Sequence, residues 1–139
     1  MTDETKKTES GVRMTAVAPQ FVVRDVVATA EYYRDVLGFR ILGFFGEPTV
    51  FAMVVRDVAE IHFGKADDGA AVASNRDRRK ISSDAYIWVN DVNALHAELK
   101  RRGAKIAGEP VMRPYKCYEL EVDDLNGFRL VFSQDFSQA

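Results

Sequence analysis

The chain is short of the residues that most often build catalytic or cross-linked sites. Its 139 residues include one cysteine, two histidines and one tryptophan. A single thiol, Cys117, makes no internal disulfide, which fits a reducing compartment. Nothing beside it forms a cysteine–histidine pair, so it reads as an ordinary strand residue. No apolar run approaches the roughly 20 residues needed to cross a bilayer. The polar start, MTDETKKTESG, lacks the apolar core of a secretory signal. A cytoplasmic protein that binds no membrane is the expectation. Net charge is small, −2, and leaves no footprint for nucleic acid. The densest positive run, Arg76 to Lys80, sits in a Gly/Ala/Ser-rich stretch and reads as a solvated loop, with an anion patch as the alternative. What remains, 47% apolar and 29% charged residues, is the composition of one compact globular domain.

What is present is a pattern written twice. In Pro19 to Phe39 a β-rich run (Phe21, Val22, Val23) meets Asp25 and passes into helical spacing. Val26, Ala30, Tyr33 and Leu37 fall on one face. Asp25 suits an N-cap, because its carboxylate can accept free N–H groups of the first turn. Gly38 suits the stop, because it tolerates a left-handed backbone. Asp84 to Gly103 repeats the order: Ala85 to Val89 as strand, Asp91 as cap, Val92, Leu95 and Leu99 as stripe, Gly103 as stop. Two strand–Asp–helix–Gly units imply a duplicated module.

Taken in order, residues 1–13 read as a disordered tail and 14–135 as a single domain. Module one covers about 15–64. Thr15 to Arg24 is its first strand, with Pro19 confined to an edge or an early position, and the helix follows over Val26 to Leu37. Phe39 to Phe44, Val50 to Arg56 and Val58 to Phe63 supply three more strands. Residues 65–83 have linker composition. Module two, about 84–134, adds the strand Ala85 to Val89 and the helix Val92 to Arg102. Its later strands are Ala104 to Val111, Tyr115 to Val122 and Phe128 to Phe132. The fold class is therefore α+β: two tandem βαβββ modules forming a curled, cup-shaped mixed sheet with helices on its outer face. An open cup is a natural small-molecule site.

Alternation assigns side chains to the cup. Gln20 faces it from the first strand, opposite Phe21 and Val23. Glu60 and His62 face it opposite Ile61 and Phe63. Asp84, Tyr86 and Trp88 face it from the second module, and Glu119 and Glu121 opposite Tyr118, Leu120 and Val122. For Trp88 an ordinary core position is the competing assignment.

The strings FVVRDVVATAEYYRDVLGF, VFAMVVRDVAEIHFG, AYIWVNDVNALHAELKRRGA and YELEVDDLNGFRLVFSQ resemble the glyoxalase/bleomycin-resistance/dioxygenase superfamily, also called the vicinal oxygen chelate fold. The resemblance spans about Thr15 to Gln134. It implies four metal-ligand positions, which fall on Ala18, Glu60, Asp84 and Val131. Alanine and valine bind no divalent ion, so the chain looks like the metal-free, bleomycin-resistance-like branch, whose members sequester a drug in aromatic clefts of a homodimer. The ligand-binding set expected here is Gln20, Glu60, His62, Asp84, Tyr86, Trp88, Glu119 and Glu121, with no catalytic residue and no cofactor. The ligand is a planar or cationic organic molecule that the protein sequesters or senses, and the partner is a second copy of the chain. The alternative is a metal-dependent lyase, isomerase or dioxygenase with a rearranged set of Glu60, His62 and Asp84, Glu121 being a further possible donor.

Overall fold

A computed structural model describes residues 10–138. Of the tail expected over 1–13, residues 1–9 lie outside the described residues, and Ser10 to Pro19 carry no helix or strand. The first module runs β1 (Gln20–Val23), α1 (Val26–Asp35), β2 (Arg40–Phe45), β3 (Phe51–Arg56), β4 (Ala59–Lys65). The second runs β5 (Ala85–Trp88), α2 (Val92–Arg102), β6 (Lys105–Ile106), β7 (Val111–Met112), β8 (Cys117–Asp123), β9 (Arg129–Asp135). The sheets have matching order, β1-β4-β3-β2 and β5-β9-β8-β6, with β7 also paired to β8. In each, the strand before the helix pairs parallel with the last strand of its module. The fold is α+β and duplicated.

Local sequence explains the elements. Asp25 Oδ1 accepts from Ala28 N–H at 2.9 Å and Asp91 Oδ1 from Ala94 N–H at 3.0 Å. Each is the cap its spacing implied, a device worth roughly 1 kcal/mol. Gly38 and Gly103 both take positive φ at the helix exits (78° and 83°), a region where a side chain is strained.

Two expected strands differ in detail. The first strand begins at Gln20 rather than Thr15, because Pro19 has no N–H to continue the ladder. The expected strand Ala104 to Val111 is instead β6 and β7, two residues each, separated by the Gly108–Pro110 turn. The linker is laid down on the second module. Asn75 N–H donates to Asp84 Oδ1 (2.9 Å), Arg76 donates to Asp123 (3.1 Å), and Ser74 is buried. Arg76 is thereby drawn out of the cationic run that read as solvated.

One core serves both modules. Phe21, Val23, Val54, Ile61 and Phe63 from the first sheet join Leu120, Val122, Leu130 and Phe132 from the second in a single cluster with the helix stripes. Phe21 of β1 stacks on Phe128, ring centroids 4.7 Å apart. Arg56, at the end of β3, holds Glu98 of α2 by two nitrogens (3.0 and 2.8 Å). Both sheets spend their helix-side faces on this core, so their other faces stay open.

Candidate functional site

The open faces divide the expected site residues. Gln20 and His62 are register partners on β1 and β4, on the side away from buried Phe21, Ile61 and Phe63. Glu60 Oε2 lies 2.6 Å from His62 Nε2, so these two side chains satisfy each other. Tyr86 and Trp88 alternate with Ala85 and Ile87, and Trp88 is 59% exposed, which removes the core assignment for the indole. Glu119 and Glu121 lie two strands from β5, level with Ser133 and Val131 of β9. These in turn pair with Trp88 and Tyr86.

Asp84 stands apart. Its carboxylate accepts from Asn75 N–H (2.9 Å) and from Arg129 N–H (2.8 Å), so it ties the linker to β9 rather than offering oxygens to a ligand. Of the eight expected residues, the structure brings three, Glu60, Tyr86 and Trp88, to one groove. That groove of about 620 Å³ runs between the modules, with Pro19, Ile87 and Leu95 also on its walls.

The open face of the second sheet is built around Glu119, only 5% exposed. A buried carboxylate must be compensated, and three side chains do it. Tyr86 O–H donates to Oε2 at 2.6 Å and lies 2.9 Å from Ser133 Oγ. Tyr115 O–H donates to the same oxygen at 2.6 Å, and Arg113 Nε donates to Oε1 at 3.0 Å. Desolvation pushes the Glu119 carboxyl up, but the bonds from Tyr115, Tyr86 and Arg113 outweigh it and hold it below its usual range. The partners move the other way: the hydrogen bond to Glu119 lifts the Tyr115 phenol to about 12, and desolvation first, then Glu119, lifts Tyr86 further. Both phenols stay protonated donors at neutral pH.

Glu121 is flanked by Arg129 (3.3 Å) and Arg113 (3.8 Å). Arg129 also holds Asp123 (2.9 Å), which Arg76 meets as well (3.1 Å). Three carboxylates, Glu119, Glu121 and Asp123, thus face three guanidinium groups, and the surface is charge-balanced. Sequence reasoning passed over Arg113, Tyr115 and Ser133. Their signal was Arg113-Pro-Tyr115 just before a strand with two carboxylates on one face. Trp88 completes the surface, its indole edge-on to Tyr86 with centroids 4.9 Å apart.

The donors do not fit a divalent metal. Glu60 and His62 are bonded to each other, Asp84 is taken by backbone N–H groups, and Val131 is buried at the fourth ligand position the resemblance implied. Among the described residues no group of three or more His, Cys, Asp or Glu side chains is placed to hold an ion.

Comparison with known proteins places this geometry. The family model described as Glyoxalase/Bleomycin resistance protein/Dioxygenase superfamily matches residues 14–132. No curated protein matches the sequence. Among solved structures, the bleomycin-binding protein of bleomycin-producing Streptomyces verticillus, complexed with copper(II)-bleomycin, is 25% identical. It superposes with a TM-score of 0.64 over 87% of this chain and 96% of its own. TioX from Micromonospora sp. ML1 is 16% identical with a TM-score of 0.68 (88% and 100% covered). A lactoylglutathione lyase from Agrobacterium tumefaciens is 12% identical with a TM-score of 0.65 (88% and 94% covered). These last two share the fold, and the fold carries both binding proteins and enzymes.

Proposed function

Because the chain belongs to the glyoxalase/bleomycin resistance protein/dioxygenase superfamily, we propose that it is a metal-free binding protein that sequesters or senses a planar organic molecule as a homodimer. The observation that carries this reading is the Tyr86–Trp88 pair. A large indole is held open to solvent by a neighbour whose hydroxyl is fixed on a buried carboxylate. Such a preset aromatic surface gives stacking area at little entropic cost. The bleomycin-binding relative supports the class of function. The charge balance at Glu119, Glu121 and Asp123 leaves no unpaired carboxylate on this face to favour a cation, so planarity is the main requirement. No helix among the described residues is long and apolar enough to cross a membrane, and the single buried thiol, Cys117, agrees with a cytoplasmic protein.

A second copy is part of the proposal. Val22, Phe45 and Trp88 are 47%, 60% and 59% exposed, and β1 and β5 both end their sheets with an unpaired edge. Exposed edges and apolar faces of this kind are normally covered. Covering the open faces would also turn shallow surfaces into enclosed cups. Light scattering at micromolar concentration is expected to give the mass of two chains, and a monomer mass would count against the closed cup.

Elemental analysis of the purified protein is expected to find no stoichiometric Zn, Fe, Ni or Mn. One equivalent of metal, lost on Glu60→Ala, would replace the metal-free reading with an enzymatic one.

A further inference from the structure

Arg113 does more than neutralise Glu119. Its Nε is bonded to Glu119 and its Nη2 lies 3.8 Å from Glu121, while Nη1 has no hydrogen-bond partner among the described residues. The side chain is 37% exposed, against 5% for Glu119, so the guanidinium lies over the carboxylate and reaches solvent. Beside it, the Tyr115 proton is committed to Glu119, so this phenol turns only lone pairs outward. The tight turn that closes with Arg113 N–H on Cys117 carbonyl and Lys116 N–H on Arg113 carbonyl fixes both side chains (2.9 Å each).

We propose that Arg113 is a specificity-determining residue that selects a planar aromatic carboxylate, whose ring stacks on Trp88 and whose acid group meets Nη1. The inference rests on the binding function proposed above. Trp88 of β5 and Glu119 of β8 are separated by β9 alone, and two strand spacings amount to about 10 Å. That is the length of a fused two-ring system with one carboxylate. Guanidinium offers planar, paired donors that match a carboxylate. With Glu119, Glu121 and Asp123 already balanced by Arg113, Arg129 and Arg76, an arriving anion meets no net negative charge, and an arriving cation finds no unpaired carboxylate.

The test is a matched titration read by the fluorescence of Trp88, the chain's single tryptophan. The probes are 2-naphthoate, 2-naphthamide and 2-naphthylmethylammonium. Wild-type protein is expected to bind naphthoate most tightly and the ammonium least, with the naphthoate preference shrinking as salt rises. Arg113→Gln is expected to weaken naphthoate roughly 10- to 100-fold, the range of a charge-assisted hydrogen bond, while changing 2-naphthamide little. Because that variant leaves Glu119 less compensated, the double variant Arg113→Gln/Glu119→Gln is measured beside it and is expected to show the same loss of preference. An ammonium probe bound as tightly as naphthoate, or a preference that survives in both variants, overturns the role of Arg113 while leaving aromatic binding standing. A wild-type protein whose Trp88 emission responds to none of the probes overturns both.

Discussion

Replacing Asp124 by alanine is expected to remove roughly 3 to 5 kcal/mol of folding stability, the cost of orphaning three donors in a largely buried site. Asp124 is 0% exposed at the β8–β9 turn. It accepts from the Tyr33 hydroxyl at 2.7 Å, from Asn126 N–H at 2.8 Å and from Phe128 N–H at 3.0 Å. Tyr33 lies on α1, and Asn126 reaches the same helix through Thr29 Oγ1 (2.9 Å). One carboxylate therefore closes the turn and joins the modules across the shared core. Such a loss is a large fraction of the 5–15 kcal/mol that holds a typical domain together, and the melting temperature should fall by about 10–20 °C. Thermal denaturation followed by circular dichroism measures it. A fall of only a degree or two would mean that the hydrophobic interface alone joins the modules.

Charge at Asp124 has a sign of its own. Desolvation raises its pKa, against the bonds from Tyr33 and the two N–H groups. A carboxyl whose folded pKa lies above its unfolded value contributes stability below the unfolded pKa, and that contribution is lost as pH rises through the folded pKa. Asp124→Asn keeps an oxygen for the backbone donors but not this titration. The wild-type advantage over Asp124→Asn should accordingly shrink as pH rises from the ordinary aspartate range. A difference that grew with pH in parallel melting curves would reverse the assigned direction.

Truncating Trp88 to alanine is expected to weaken binding of a planar aromatic roughly 5- to 150-fold, the equivalent of 1 to 3 kcal/mol of stacking in a desolvated site. Stability should change by under about 1 kcal/mol, because the indole is more exposed than buried. The two readouts separate the roles cleanly. A buried tryptophan would instead cost about 3 to 5 kcal/mol on truncation. Binding of 2-naphthamide unchanged in Trp88→Ala, followed by calorimetry since the reporter is gone, would move the ligand off this face.

The sequence by itself determined the duplicated modules, the fold class and the superfamily. Asp25 and Asp91 caps, Gly38 and Gly103 exits and the helix stripes are local signals, fixed by backbone geometry within a few residues. Alternation also determined which side chains share a strand face. Gln20 and His62 lie opposite buried neighbours, and Tyr86 and Trp88 opposite the half-buried Ala85 and Ile87, because successive strand residues must point to opposite sides. Only the tertiary structure decided what each polar side chain meets. Asp84 looked like a cup residue by parity, yet its oxygens are taken by Asn75 and Arg129 N–H groups. Glu119 looked like a free acid, yet Arg113 and two tyrosines enclose it. Strand parity sets the direction of a side chain, whereas its chemistry depends on partners brought from distant segments. Tyr86, for instance, lies 33 positions from the Glu119 it holds. The same reasoning explains why a face with several carboxylates is charge-balanced: a carboxylate that loses water on folding must gain donors in its place, and those donors are brought by β5, by β9 and by the turn between β7 and β8.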